Sequence, residues 1–180
     1  MTTATATKSP TVRLDAKDVA KFVRKALRAA FPNVKFSVRS SGYNALNVAW
    51  TDGPTAQQVK AVANEFKGIK KTLDPYTDYR TDEDIADNAT GSANWVSSIH
   101  YSRTVSDQAR AAFRAEVMEF ANASTYSELQ DIWNDGQRTN EKSGIVWHFI
   151  ADMPTGSSWD VAEHLNYFES IALRGRSLTA

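Results

Sequence analysis

Five cations, Lys17, Lys21, Arg24, Lys25 and Arg28, stand at offsets of 4, 7, 8 and 11 from the first, a spacing that gathers side chains on one side of an α-helix over three turns. Lys35 and Arg39 follow in the next segment, and Tyr43 comes just after them. Ammonium and guanidinium groups arrayed this way neutralise successive phosphates, and a phenol ring offers a flat surface on which a base can stack. These eight residues are the candidate surface for nucleic acid or for an anionic protein. The plain alternative is a solvated stripe, because a helix that buries one face exposes a polar one. A second cluster has the opposite sign: Asp78, Asp82, Glu83, Asp84 and Asp87 lie within ten residues. It reads as a solvated loop, or as an acidic surface for a basic partner or in imitation of a nucleic-acid backbone. A calcium loop does not fit, since the alternating oxygen ligands and the central glycine are absent.

Nothing in the sequence assembles a reaction. His100, His148 and His164 fall on three different expected elements, with no ligand spacing to unite them. There is no phosphate-binding GxxxxGK[ST] or GxGxxG loop and no nucleophile elbow. The expectation is a protein that is not an enzyme and needs no cofactor or metal. With no cysteine there is no disulfide and no thiolate site. No apolar run approaches the length of a membrane span, and the start, MTTATATKSPT, lacks the apolar core of a signal peptide. A soluble, cytoplasmic protein is expected, in which the sequons Asn88-Ala-Thr90 and Asn122-Ala-Ser124 carry no meaning. The zero net charge of the 180 residues hides a division. Met1 to Lys71 holds 13 Lys and Arg against 4 Asp and Glu, and the rest holds 8 against 17. Such halves suit different partners, or pair with each other, a homodimer included, or are ordinary solvated faces.

The elements that position these residues follow from periodicity. Residues 1–11 have nothing to bury and read as a flexible lead. Asp15 caps a helix with Val19, Phe22, Val23, Ala26, Leu27, Ala30 and Phe31 inward, and Pro32 ends it. Alternation predicts strands over Val34 to Arg39 and Ala45 to Thr51, joined as a hairpin through Gly42 and Asn44. Pro54 opens a second helix with Val59, Val62, Ala63 and Phe66 inward, stopped by Gly68. Lys70 to Gly91 is the one linker candidate, and Asn94 to Arg103 reads as the third strand. Beyond it, Ser106 caps a helix with Ala109, Phe113, Val117 and Phe120 inward. Another helix carries Leu129, Ile132 and Trp133 and closes at Gly136, and Gln137 to Ser143 is a polar loop. Ile145 to Ile150 is apolar on both faces, as in a buried strand, with a helix start as the alternative. A last helix runs from about Ser158 to Leu173, before a loose tail over Arg174 to Ala180. Of the five tryptophans, Trp50 and Trp95 are expected in the core, and Trp159 is the candidate exposed interface anchor.

The runs Lys25-Ala-Leu-Arg-Ala-Ala-Phe-Pro32, Val34-Lys-Phe-Ser-Val-Arg-Ser40 and Asn47-Val-Ala-Trp-Thr-Asp-Gly-Pro-Thr55 resemble the large polyvalent-protein-associated domain family. The similarity is close over residues 19 to 68 and looser through Tyr76-Thr-Asp-Tyr79 and Asn94 to Arg103. It implies a protein of a phage or conjugative element that travels with or protects incoming DNA, and it brings no catalytic residues. The chain is therefore expected to be α+β, with an α-β-β-α-β core over 12–104 whose antiparallel sheet is covered by helices on one face, and a mainly helical extension over 105–180. The expected function is non-catalytic counter-defence: binding a host complex, of restriction or CRISPR type, that targets nucleic acid. The alternative is a DNA-binding escort that uses the basic helix face directly.

Overall fold

Asp15 starts the first helix because its carboxylate accepts the backbone N–H of Asp18 at 2.8 Å, which satisfies one of the donors that a first turn leaves orphaned. From there α1 (Ala16–Ala30) buries Ala16, Val19, Ala20, Val23 and Leu27. Phe22 departs from the expected pattern and is 41% exposed. At about 100° per residue it lies at the margin of the buried arc, on the side next to Lys25. The computed structural model describes residues 13–73, 80–139, 142–150 and 164–178. It divides into two compact units, one formed by the chain up to Trp50 together with Gln57–Ser102, the other by Thr51–Ala56 together with the chain from Arg103 onward.

In the first unit, α1 packs beside β1 (Ser37–Ser41). β1 pairs antiparallel with β2 (Ala45–Thr51), from Ser37↔Ala49 to Ser41↔Ala45. The connection is shortened to Gly42, Tyr43 and Asn44, and Gly42 takes the positive φ of 72° that an L side chain resists. The hydrogen-bonded strand begins three residues later than alternation suggested. Phe36 still turns inward, its ring 5.9 Å from Phe31 and 5.8 Å from Trp50. β5 (Ser98–Thr104) lies on the other side of β2, giving the order β1-β2-β5. Val38, Leu46, Val48, Trp50 and Ile99 are buried, while their alternating neighbours Arg39, Asn47 and His100 are exposed, the pattern of a sheet covered on one face. α2 (Ala56–Ala63) and a 3₁₀ turn over Asn64–Phe66 bury Val59, Ala63 and Phe66.

Two expectations fail here. Gly68 does not stop the helix through a left-handed φ; a Cβ on it would stand 2.4 Å from Asn94, so it is glycine for close approach. The stretch expected as a linker forms a ribbon, β3 (Ile69–Leu73) antiparallel to β4 (Arg80–Asp84). Its base is tied down by the N–H groups of Gly68 and Ile69 donating to Val96 O at 2.9 and 3.1 Å, and by Ile85 N–H donating to Gly68 O at 2.9 Å.

In the second unit, Ser106 caps α3 (Asp107–Phe120) by accepting from Ala109 N–H at 3.1 Å. α4 (Tyr126–Thr139) begins with reciprocal capping: Thr125 Oγ1 accepts from Glu128 N–H, and the Glu128 carboxylate accepts from Ser124 N–H. α4 runs on through Gly136 to Thr139 and helix is present again from Lys142, so the described part of the expected polar loop is helical. α5 (Lys142–Phe149) replaces the expected strand: Val146 and Ile150 stack one helical turn apart, and Ile150 N–H donates to Val146 O at 2.9 Å. α6 (Leu165–Gly175) buries Leu165, Phe168, Ala172 and Leu173 against Phe113, Val117, Leu129, Trp133, Ile145 and Val146. Phe120 and Ile132, expected inward, are 45% and 37% exposed. The tail is held as far as Leu178, whose N–H donates to Gly53 O at 2.8 Å. Among the described residues no helix is long and apolar enough to cross a membrane.

Candidate functional site

The cations of α1 divide into two kinds. Lys17, Lys21, Lys25 and Arg28 are exposed. Lys21 donates to Asp18 at 2.8 Å, and that hydrogen bond, aided by the carboxylate's charge, raises its pKa. Arg24 is half-buried and its Nη2 donates to Val38 O at 2.7 Å. It fastens the helix to β1, so it does not stand ready for a phosphate as its neighbours do. Among the described residues no ion pair joins Lys17, Lys25 or Arg28 to an acid.

Lys35 and Arg39 are exposed, Arg39 on β1 and Lys35 just before it. Tyr43, at the hairpin tip, is 65% exposed. Its ring lies 5.8 Å from that of Trp95, and the Arg13 guanidinium covers the indole at 4.4 Å. Arg13 is in turn fixed by an ion pair with Asp84. Trp95, expected in the core, is half-buried as the middle member of this stack. Ser37, Ser41, Asn47 and His100 share the exposed side of the strands with Arg39, and none of them was placed on a binding surface from sequence. The signal was present: β1, β2 and β5 contain no Asp or Glu, in a chain with 21.

The acidic cluster meets cations of its own. Register sets Lys71 opposite Asp82 and Lys70 opposite Glu83, the cross-strand arrangement in which opposite charges stabilise a ribbon, and Arg13 pairs with Asp84. Asp87 is exposed in the segment after β4. Asp78 and Trp159 lie outside the described residues. That segment holds a polar knot. Asn94, fully buried, donates to Phe66 O and Asn88 Oδ1, and its own Oδ1 accepts from Val96 N–H at 3.0 Å. Asn88 donates to Ile85 O and Ser92 O and accepts from Thr90 Oγ1. The Asn88-Ala-Thr90 sequon is thus a structural joint.

In the second unit a groove of about 380 Å³ is lined by Asp52, Ser106, Gln108, Phe113, Glu116 and Arg176 among others. Its charged groups are engaged: Asp52 Oδ1 accepts from Ser106 N–H at 2.8 Å, and Arg176 makes a two-pronged bond to Glu116, both at 3.0 Å. Arg176 also lies 5.5 Å from the Phe113 ring centre. Nearby, Glu169 is buried and takes two bonds from Arg114, at 2.6 and 2.9 Å. The hydrogen bond to Glu169 raises the Arg114 pKa against the effect of burial. Both features join parts of the fold. His100, His148 and His164 stay on β5, on α5 and at the head of α6. Among the described residues no group of three or more His, Asp or Glu could hold a metal ion.

Residues 14–106 match the family model described as large polyvalent protein associated domain 29. No curated protein and no solved structure matches the chain.

Proposed function

The chain belongs to the large polyvalent protein associated domain 29 family, and from that membership we propose that it is a phage or plasmid protein that acts by binding, in the defence of its element's nucleic acid against the host. The observation that carries this reading is the set of exposed cations on the first unit, Lys17, Lys25, Arg28, Lys35 and Arg39, together with the exposed Tyr43 of the same unit. Unpaired cations release condensed counterions when they meet phosphates, and an exposed aromatic adds base stacking. Of the two modes such a protein can use, this favours contact with nucleic acid itself, as an escort. The mode in which it occupies a host complex of restriction or CRISPR type draws support from Phe22, an exposed apolar ring beside Lys25, since protein interfaces centre on such anchors.

Fluorescence anisotropy with labelled single-stranded and double-stranded DNA, at low and at physiological salt, tests the reading. Steeply salt-dependent binding is expected, weakened at least about tenfold when Lys25 and Arg28 are both replaced by Glu. No binding even at low salt overturns the escort mode and leaves the host complex as the target, to be sought with purified defence complexes.

A further inference from the structure

We infer that the open face of the β1-β2-β5 sheet, ending at Tyr43, is a binding track for a single-stranded polynucleotide. The inference rests on the nucleic-acid reading above and assigns it a substrate class and a surface that the basic helix stripe does not supply. Lys35, Ser37, Arg39, Ser41 and Tyr43 occupy every second position, and all five are exposed. Ser37, Arg39 and Ser41 lie along one face of β1, because successive side chains of a strand point to opposite sides, and Lys35 stands two residues before them. From Lys35 to Ser41 the chain advances about 20 Å. An unstacked strand extends well beyond the 3.4 Å per nucleotide of a stacked one, so this length accommodates about three or four phosphates.

The rest of the face suits the same ligand. Asn47, opposite Arg39 in register, and His100 and Ser102 on β5 are exposed hydrogen-bonding groups. None of the three strands contributes a carboxylate that would repel phosphate. Arg24 occupies Val38 O at the outer edge of β1, which favours the face over the edge for a ligand. At the end of the track Tyr43 is held before any ligand arrives. Trp95 backs its ring, Arg13 covers Trp95, Asp84 fixes Arg13, and the N–H of Ser97 pins the loop through Asn44 O at 2.9 Å. A rigid, exposed ring loses little freedom on binding, and base–aromatic stacking serves any base. A duplex keeps its bases inside and cannot use Tyr43 in this way.

The test compares the full chain with its Tyr43→Ala, Tyr43→Phe and Arg39→Ala variants. Binding to labelled oligothymidylate, oligouridylate and a duplex is followed over a range of salt. Tyr43→Ala is expected to weaken single-strand binding about tenfold and to leave duplex binding within about twofold, while Tyr43→Phe binds as the parent does. Arg39→Ala is expected to reduce the single-strand salt slope by about one. Binding of either single strand supports the track, and the tighter of the two names its natural source as DNA or RNA. Single-strand binding unaffected by Tyr43→Ala overturns it, as does an equal loss on the duplex, or displacement by polyglutamate as effective as by unlabelled oligothymidylate. Duplex binding without single-strand binding overturns the track while the escort reading stands. Failure of every nucleic acid to bind removes both.

Discussion

Tyr101 is inward on β5, its hydroxyl 3.0 Å from Asn64 Oδ1, and burial pushes its pKa up to about 12. In the unfolded chain the same phenol ionises near pH 10. Between about pH 10 and about pH 12 the unfolded state therefore releases a proton that the folded state keeps, and stability falls as pH rises. Below that window both states hold the proton and the contribution is constant. Tyr101→Phe is expected to remove this part of the alkaline decline, so the gap between the urea midpoints of parent and variant changes across the window. Parallel midpoint curves would contradict it. At the same scale the sequence was legible where a residue's role is local. Asp15 and Ser106 cap their helices as their types and positions predicted. It was not legible where a long side chain had a choice: Arg24 belongs by spacing to the cationic stripe, and only its reach to Val38 O separates it from Arg28.

At the scale of elements, helical and alternating periods placed α1, β2, α2, α3 and α4 correctly to within a turn. The failures share a cause. β3 and β4 bury little besides Ile69, so no apolar alternation marked them, and the register that sets Lys70 opposite Glu83 and Lys71 opposite Asp82 is not revealed by sequence order. α5 is short and its run from Ile145 to Ile150 is apolar on both faces, which periodicity cannot tell from a buried strand. Gly68 shows what the ribbon needs at its root. Because a Cβ there would meet both the side chain and the carbonyl of Asn94 at 2.4 Å, Gly68→Ala is expected to lower unfolding stability by about 2–3 kcal/mol, as overpacking does. Chemical denaturation followed by tryptophan fluorescence measures this. A variant as stable as the parent would mean that the Asn94 knot yields without cost.

At the scale of the whole molecule, chain order and structural unit do not coincide. Thr51–Ala56, in the middle of the closest family-like run, folds with the C-terminal unit, and the family match ends inside that unit at residue 106. The residue that makes this possible is Arg103. Its Nε donates to Asp52 O at 3.2 Å, its Nη2 to Gly53 O and Arg176 O at 3.0 and 2.9 Å, and its Nη1 to Leu173 O at 2.9 Å. Burial lowers its pKa, opposed by the nearby Asp52 carboxylate. Replacing Arg103 with Leu removes a donor from four carbonyls, of which Gly53 O keeps the Leu178 N–H, and a loss of about 3 kcal/mol is expected. Arg103→Lys should recover little of it, since one ammonium cannot reproduce a planar fork. Recovery to within about 1 kcal/mol would show that charge alone sufficed. Nothing in the sequence announced this joint: it unites residues 50 and 73 positions apart, and an arginine in a strand reads as a surface residue.

The bond from Arg24 to Val38 O bears on how the protein keeps company with itself. β1 is the outermost strand of its sheet, and an outermost strand is a template on which another copy can crystallise its own backbone, one chain adding to the next. The Arg24 guanidinium takes one acceptor of that rim, Val38 O, and brings a charge that a neighbouring strand would have to desolvate. Addition of a second copy along this edge is therefore expected to cost more than it would on a bare strand.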